Sequence, residues 1–148
     1  MSDKITMTAD VIIQWADGSI VLAKRKNDPF RGSWGLPGGM MEDGETIQET
    51  AIREAEEETG LRIRLDRVIG VYSAPGRDPR GRYISVTYLA YPVSGTLESG
   101  SDAEEVMLTK DFDHITLAFD HAEILADYQN YLKENDHEGI FRKPPFAF

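Results

Sequence analysis

The sequence predicts a mixed α/β domain in which helices pack on a β-sheet. Three observations predict it. Apolar residues recur at period two along Tyr83 to Val93, where Ile84, Val86, Tyr88 and Ala90 share a face. Two segments, Thr46 to Thr59 and His121 to Glu134, have helical composition. Finally, no repeat, low-complexity tract or linker divides the 148 residues, so one domain over residues 1–148 is expected.

Taken in order, Val11-Ile12-Ile13 and Ile20-Val21-Leu22-Ala23 flank Ala16-Asp17-Gly18 and read as a β-hairpin. A Gly- and Pro-rich loop follows from Asn27 to Gly39, with a short extended piece at Trp34-Gly35-Leu36. The first helix runs from Thr46 to Thr59, and Gly60 is placed to cap its C-terminus. Leu61 to Tyr72 and Tyr83 to Val93 read as strands joined by the loop Pro75 to Gly81. A tail carrying Pro144-Pro145 follows the second helix.

Composition bounds the function. Hydrophobic residues make up 41% and charged residues 28%, as in an ordinary soluble globular protein. There is no cysteine, which excludes disulfides, thiolate metal sites and a thiol nucleophile. The start, Met1-Ser2-Asp3-Lys4-Ile5, lacks the regions of a signal peptide, and no apolar run reaches membrane-spanning length. The expected location is the cytoplasm, with no membrane partner. The formal charge of −10 disfavours polymeric nucleic acid, whose binding rests on phosphate neutralisation. A small phosphorylated compound remains compatible where a cation mediates.

The first helix carries the chemistry. At about 100° per residue, Ile47, Ala51 and Ala55 form an apolar stripe, and Glu58 falls on the same azimuth. Glu54 lies about 20° from Ile47 and Glu57 flanks it by roughly 60° more, whereas Glu49 and Glu56 point to the opposite side. Carboxylates that continue an apolar stripe are costly when unpaired. Glu56-Glu57-Glu58 also sits at the negative end of the helix dipole. A hard divalent cation removes both costs, and oxygen ligands at this spacing suit magnesium or manganese. The alternative is a solvated acidic face paired with Arg53. Pro37-Gly38-Gly39 ahead of the helix permits close backbone approach, and a glycine carbonyl is a further candidate ligand. Glu45, near the positive end of the helix, is expected to pair with a base or assist a cap.

Written out, Gly39, five residues, Glu45, seven residues, then Arg53-Glu54-Ala55-Glu56-Glu57-Glu58-Thr59-Gly60-Leu61 matches every position of the Nudix box, and Gly35-Leu36-Pro37-Gly38-Gly39 is similar to the usual lead-in. The chain thus resembles the Nudix hydrolases. The resemblance implies a Nudix fold, a mixed sheet packed between helices as an α/β/α sandwich, over essentially the whole chain. It also implies hydrolysis of a nucleoside diphosphate linked to another group, with Mg2+ or Mn2+. Glu54, Glu57, Glu58 and the Gly38 carbonyl would be metal ligands, with Glu54 and Glu58 in the catalytic set. Arg53 would hold the acidic cluster together, and Gly39, Glu45 and Gly60 would be structural.

Two segments outside the box resemble the ADP-ribose pyrophosphatase branch and its regulatory relatives: Ser73 to Arg82, and Leu117-Ala118-Phe119-Asp120-His121. The first gathers Arg77, Arg80 and Arg82 in a glycine- and proline-shaped loop suited to phosphate. With Arg25 they are the candidate substrate-binding residues; pairing of Arg77 and Arg80 to local acids is the alternative. In the second segment Asp120 is expected to cap the last helix and Phe119 to join the core, while His121 is read as packed or capping and left out of the catalytic set. One departure stands out. Sixteen residues past the box, where ADP-ribose pyrophosphatases often carry proline, this chain has Arg77 between Pro75 and Pro79.

By the same resemblance, the general base comes from a late, mobile loop, here Ser99 to Glu105, with Glu105 the catalytic candidate and Glu104 the alternative. The expected substrate is ADP-ribose, cleaved to AMP and ribose 5-phosphate. The alternatives are an oxidised nucleoside triphosphate, a dinucleoside polyphosphate, NADH, or a role as an ADP-ribose sensor without cleavage. Regulatory relatives carry an added winged-helix domain, for which a chain ending at Phe148 is expected to leave no room. A homodimer is an expected assembly, with Trp15, Phe30 or Phe146-Ala147-Phe148 as candidate contacts.

Overall fold

The computed structural model describes residues 4–100 and 103–136. The tail Pro144 to Phe148, with its candidate dimer contacts, lies outside the described residues. Among the described residues nine elements follow one another: β1 (Ile5–Ile13), β2 (Ile20–Arg25), β3 (Trp34–Gly35), β4 (Gly38–Met40), α1 (Ile47–Thr59), β5 (Leu61–Tyr72), β6 (Arg82–Gly95), β7 (Ala103–Thr109) and α2 (His121–Asp136).

The strands form two sheets, ordered β4-β1-β6-β5 and β3-β2-β7. Strand β1 pairs parallel with β6, from Ile5 opposite Arg82 to Ile13 opposite Ala90, and antiparallel with β4. Both edges of β1 are therefore occupied, and the expected hairpin with β2 is confined to its turn. Trp15 N–H donates to Ser19 and Gln14 bridges Ile20, after which β2 leaves to pair with β3 and β7.

Two cores lie on opposite faces of these strands. Ala9, Val11, Ile13, Val21, Tyr88 and Ala90 pack with Ala51 and Ala55 of α1. Ile12, Ile20, Leu22, Leu89 and Tyr91 pack with Ile124, Leu125 and Tyr128 of α2. This is the expected α/β/α arrangement, with helices over both sides of the strands. The period-two reading of β6 thus captured one of two buried faces.

Helix α1 begins with a capping box, in which the Thr46 side chain accepts from Glu49 N–H and Glu49 reaches back to Thr46 N–H. Glu49, read as a solvent-facing residue, is exposed and serves this cap. Gly60 closes the helix in the left-handed region at φ 75°. Two further C-terminal carbonyls are met from outside: Glu98 N–H donates to Thr59 O and Gly100 N–H to Glu58 O. Gly100 sits so close to the helix end that a Cβ there would stand 1.6 Å from Glu57 O.

The segment Ser99 to Glu105 is therefore not a free loop at the residues described. Gly100 is docked on α1, and Ala103 to Glu105 belong to β7, paired with β2. Trp15 is half-buried against the α1-side core, and Phe30 is 40% exposed. No helix among the described residues is long and apolar enough to cross a membrane.

Candidate active site

The pairing of β1 with β4 sets Gly38 opposite Asp10 and Gly39 opposite Ala9, and α1 lays its inward carboxylates against that glycine backbone. Gly38 N–H donates to Glu58 Oε2 at 3.2 Å. A Cβ at Gly39 would stand 2.0 Å from Glu54 Oε2, so any larger residue here would displace that carboxylate. Burial, reinforced by the neighbouring Glu54 charge, pushes the Glu58 carboxyl well above the usual carboxylate range. Burial also raises Glu54, against the opposing pull of Arg53.

Arg53 organises the outer acids. Its Nε donates to Glu45 Oε2 at 2.6 Å, and its other nitrogens reach Glu45, Glu54, Glu57 and Met40 O. Glu45 also accepts from Glu42 N–H and Thr50 Oγ1, and with the Arg53 bond these hold its pKa at about 2. Glu57 lies with Arg53, its side chain 51% exposed, and is not among the residues lining the cleft.

That cleft, about 280 Å³ in volume, is lined by Glu54, Glu58, Gly38 and Gly39 together with Arg25, Arg77 and Arg80. Two of the arginines already hold acids. Arg77 bonds Asp120 through Nε and a terminal nitrogen, and Arg80 bonds Asp78 in the same two-pronged way. Arg25 donates from Nε to Pro29 O at 2.6 Å and lies 4.9 Å from the Phe119 ring centroid. Burial, and then the charge of Arg80, lower its pKa. Arg82 is elsewhere, donating to Ser73 O beside a separate groove with Lys4 and Tyr83. Glu105 also lies outside the cleft lining, on β7, where it pairs with Lys24 at 3.5 Å.

Among the cleft residues not assigned to the site from sequence are Asp10, His121 and Phe119. Asp10 interrupts the apolar residues of β1, and a buried acid in such a run was the available sign. His121 is buried, with Nδ1 accepting from Leu36 N–H at 3.0 Å. Phe119 is not in the core. It lines the cleft at φ 52°, its ring 4.7 Å from that of Phe30, itself at φ 62°. Two non-glycine residues in this region carry strain of about 1–3 kcal/mol each, which such sites sustain only when packing enforces it. Asp120, expected as a cap, gives its carboxylate to Arg77 while its carbonyl accepts from Glu123 and Ile124 N–H.

Among the described residues no three carboxylate or imidazole groups converge as a ready-made metal cage. The chemistry of the pair nevertheless fits magnesium, which keeps several waters and is commonly held by one or two carboxylates plus substrate phosphates. Two crowded, desolvated carboxylates beside glycine backbone are a donor set of that kind.

Residues 4–128 match the NUDIX domain. The chain is 44% identical over 125 residues to an ADP-ribose pyrophosphatase of Methanocaldococcus jannaschii, covering 84% of this chain and 73% of that protein. Among solved structures, a bifunctional NMN adenylyltransferase/ADP ribose pyrophosphatase from Francisella tularensis superposes with TM-score 0.75 at 27% identity, covering 88% of this chain and 42% of the other. The NUDIX domain of Shewanella oneidensis NrtR, complexed with ADP ribose, gives TM-score 0.73 at 25% identity, covering 89% of this chain and 90% of that one. Motif, fold and relatives converge: the chain belongs to the Nudix family of pyrophosphohydrolases.

Proposed function

We propose that the chain hydrolyses ADP-ribose to AMP and ribose 5-phosphate, using Mg2+ or Mn2+. The observation that carries this reading is one cleft lined both by the carboxylate pair Glu54 and Glu58 and by Arg25, Arg77 and Arg80. Carboxylates alone would repel a pyrophosphate, and arginines alone would bind it without supplying a metal. The name of the relative at 44% identity supports ADP-ribose as the particular substrate.

In this reading Glu54, Glu58 and the Gly38 carbonyl hold the cation, with Glu57 as a third carboxylate turning from Arg53. When bound, the ion supplies charge neutralisation at the pyrophosphate and lowers the pKa of coordinated water. Arg25 and the free faces of Arg77 and Arg80 orient the phosphates. Arg82 contributes from the neighbouring groove. Glu105, with Glu104 as the alternative, accepts the proton of the attacking water; this assignment draws on the family resemblance. The 148 residues act as one catalytic domain, in the cytoplasm, as a homodimer.

A chromatographic screen for nucleoside monophosphate release from ADP-ribose, NADH, diadenosine polyphosphates and 8-oxo-dGTP, with either metal, tests the reading. The highest kcat/KM is expected for ADP-ribose. Faster release from another compound would move the substrate assignment. Binding of ADP-ribose with no release from any compound would make the chain a sensor, a reading favoured by the likeness to the ADP-ribose-bound NrtR domain.

A further inference from the structure

We infer that Asp10 and His121 bracket a sugar hydroxyl of the substrate and so select a glycosyl group over a phosphate at the floor of the cleft. The inference rests on the substrate class proposed above. Both residues line the cleft, yet both are buried, with relative exposures of 8% for Asp10 and 5% for His121.

The imidazole is fixed in one tautomer. Leu36 N–H donates to Nδ1, so the ring hydrogen of the neutral form sits on Nε2. Burial lowers the pKa of His121 and favours that neutral form. The ring packs against Gly35, where a Cβ would stand 2.9 Å from Nδ1. Among the described residues Nε2–H has no hydrogen-bond partner. Asp10 Oδ1 is 4.0 Å away, beyond hydrogen-bond range.

Asp10 is equally constrained. It sits in β1 between β4 and β6, and its Oδ2 accepts from Ser85 Oγ at 2.5 Å. Ser85 Oγ in turn lies 3.1 Å from Thr87 Oγ1. Oδ1 lies against Gly38, where a Cβ would stand 2.3 Å from it, and Asp10 lines the cleft.

A fixed donor and a fixed acceptor 4.0 Å apart are complementary to one oxygen that both accepts and donates. At ordinary bond lengths of about 2.7–2.8 Å the angle at that oxygen is roughly 90–95°, within the range of a hydroxyl. A phosphate oxygen has lone pairs only, so it satisfies His121 and is repelled by Asp10. An apolar group leaves both unsatisfied. The chemistry selected is a hydroxyl, borne by a sugar or by water.

The test separates these sources. His121→Asn places a side-chain oxygen where Nδ1 accepted from Leu36 and removes the Nε2–H donor. Wild-type and variant enzyme are assayed with ADP-ribose and with its terminal-ribose deoxy analogues. The wild type is expected to prefer ADP-ribose roughly tenfold over one analogue, and the variant to lose roughly tenfold in kcat/KM on ADP-ribose alone, abolishing the preference. Equal losses on all substrates would assign the bracket to a water and overturn the inference, as would no loss on any. His121→Gln, which can return a donor near Nε2, is expected to restore part of the preference. Nitrogen-15 spectra of the imidazole need no substrate: an Nε2–H tautomer supports the bracket, and an Nδ1–H tautomer overturns it even if ADP-ribose is not the substrate. A wild type active on ADP-ribose without discrimination among the analogues would defeat the bracket and leave the substrate reading standing.

Discussion

The Arg77 guanidinium grips the Asp120 carboxylate through bonds of 2.9 and 2.6 Å, tying the loop between β5 and β6 to the start of α2. The arginine side chain is only 5% exposed and the aspartate 17%. This pair fastens one wall of the cleft to the element that carries His121.

Removing one partner strands a charge in a desolvated place. Arg77→Ala is expected to lower stability by about 3 kcal/mol, read from urea denaturation, with a rise in KM. The paired change Arg77→Met with Asp120→Leu should recover much of that stability and none of the substrate affinity. A single variant as stable as wild type would mean that the pair is solvated in solution.

Glu58→Gln should abolish turnover while the fold persists, since under the proposed function it removes a metal-ligating charge without changing shape. Burial raises the folded-state pKa of both Glu58 and Glu54 above the ordinary 4.5. The sign then favours the variant when metal is chelated. Ionising a raised carboxyl disfavours the fold as pH rises above the ordinary carboxylate range, so the variant should melt higher than wild type at neutral pH. That advantage should shrink as pH falls toward about 4.5. Near-normal magnesium-dependent rates in Glu58→Gln would remove the metal assignment.

Glu45 behaves in the opposite sense. Its folded pKa of about 2 lies below the ordinary 4.5, so its bond to Arg53 contributes stability at neutral pH. That contribution is lost as pH falls through the window from 4.5 to about 2. Wild type should accordingly lose more stability than Glu45→Gln across this interval in parallel denaturation curves. Parallel decline of the two proteins would show that the acid limb arises elsewhere.

Glu105→Gln decides the proton acceptor. A fall of about 100-fold or more in kcat, with metal affinity unchanged, is expected of a general base. An unaltered rate would agree with its place on β7 beside Lys24 and would transfer the role to another group.

What the sequence made legible is what depends on near neighbours. Helix α1 could be read almost to the residue because its apolar spacing, Thr46 start and Gly60 stop are local, and the same wheel turned Glu54 and Glu58 inward. Strand β7 was missed because it is a short edge strand whose identity depends on β2, some eighty residues away. The β1–β2 hairpin was over-read for a similar reason: no local pattern reveals that both edges of β1 are taken by β4 and β6. Asp10 and His121 meet only after the strands have paired and α2 has docked. A histidine at a helix start and an aspartate in a strand carry no sign of each other in sequence.

The contact of Glu98 and Gly100 with the end of α1 has an engineering consequence. A serine- and glycine-bearing stretch between two strands invites insertion of a tag or a permutation site. Here that stretch supplies the amides that bond the carbonyls of Glu58 itself and of Thr59. Lengthening the chain at Ser99 would fray the helix end bearing Glu58, so an insert far from the cleft by sequence would be felt, under the proposed function, as lost metal affinity. Reporter fusions are better placed in the turn at Ala16-Asp17-Gly18, whose hydrogen bonds are local and whose side chains bear no load for the cleft.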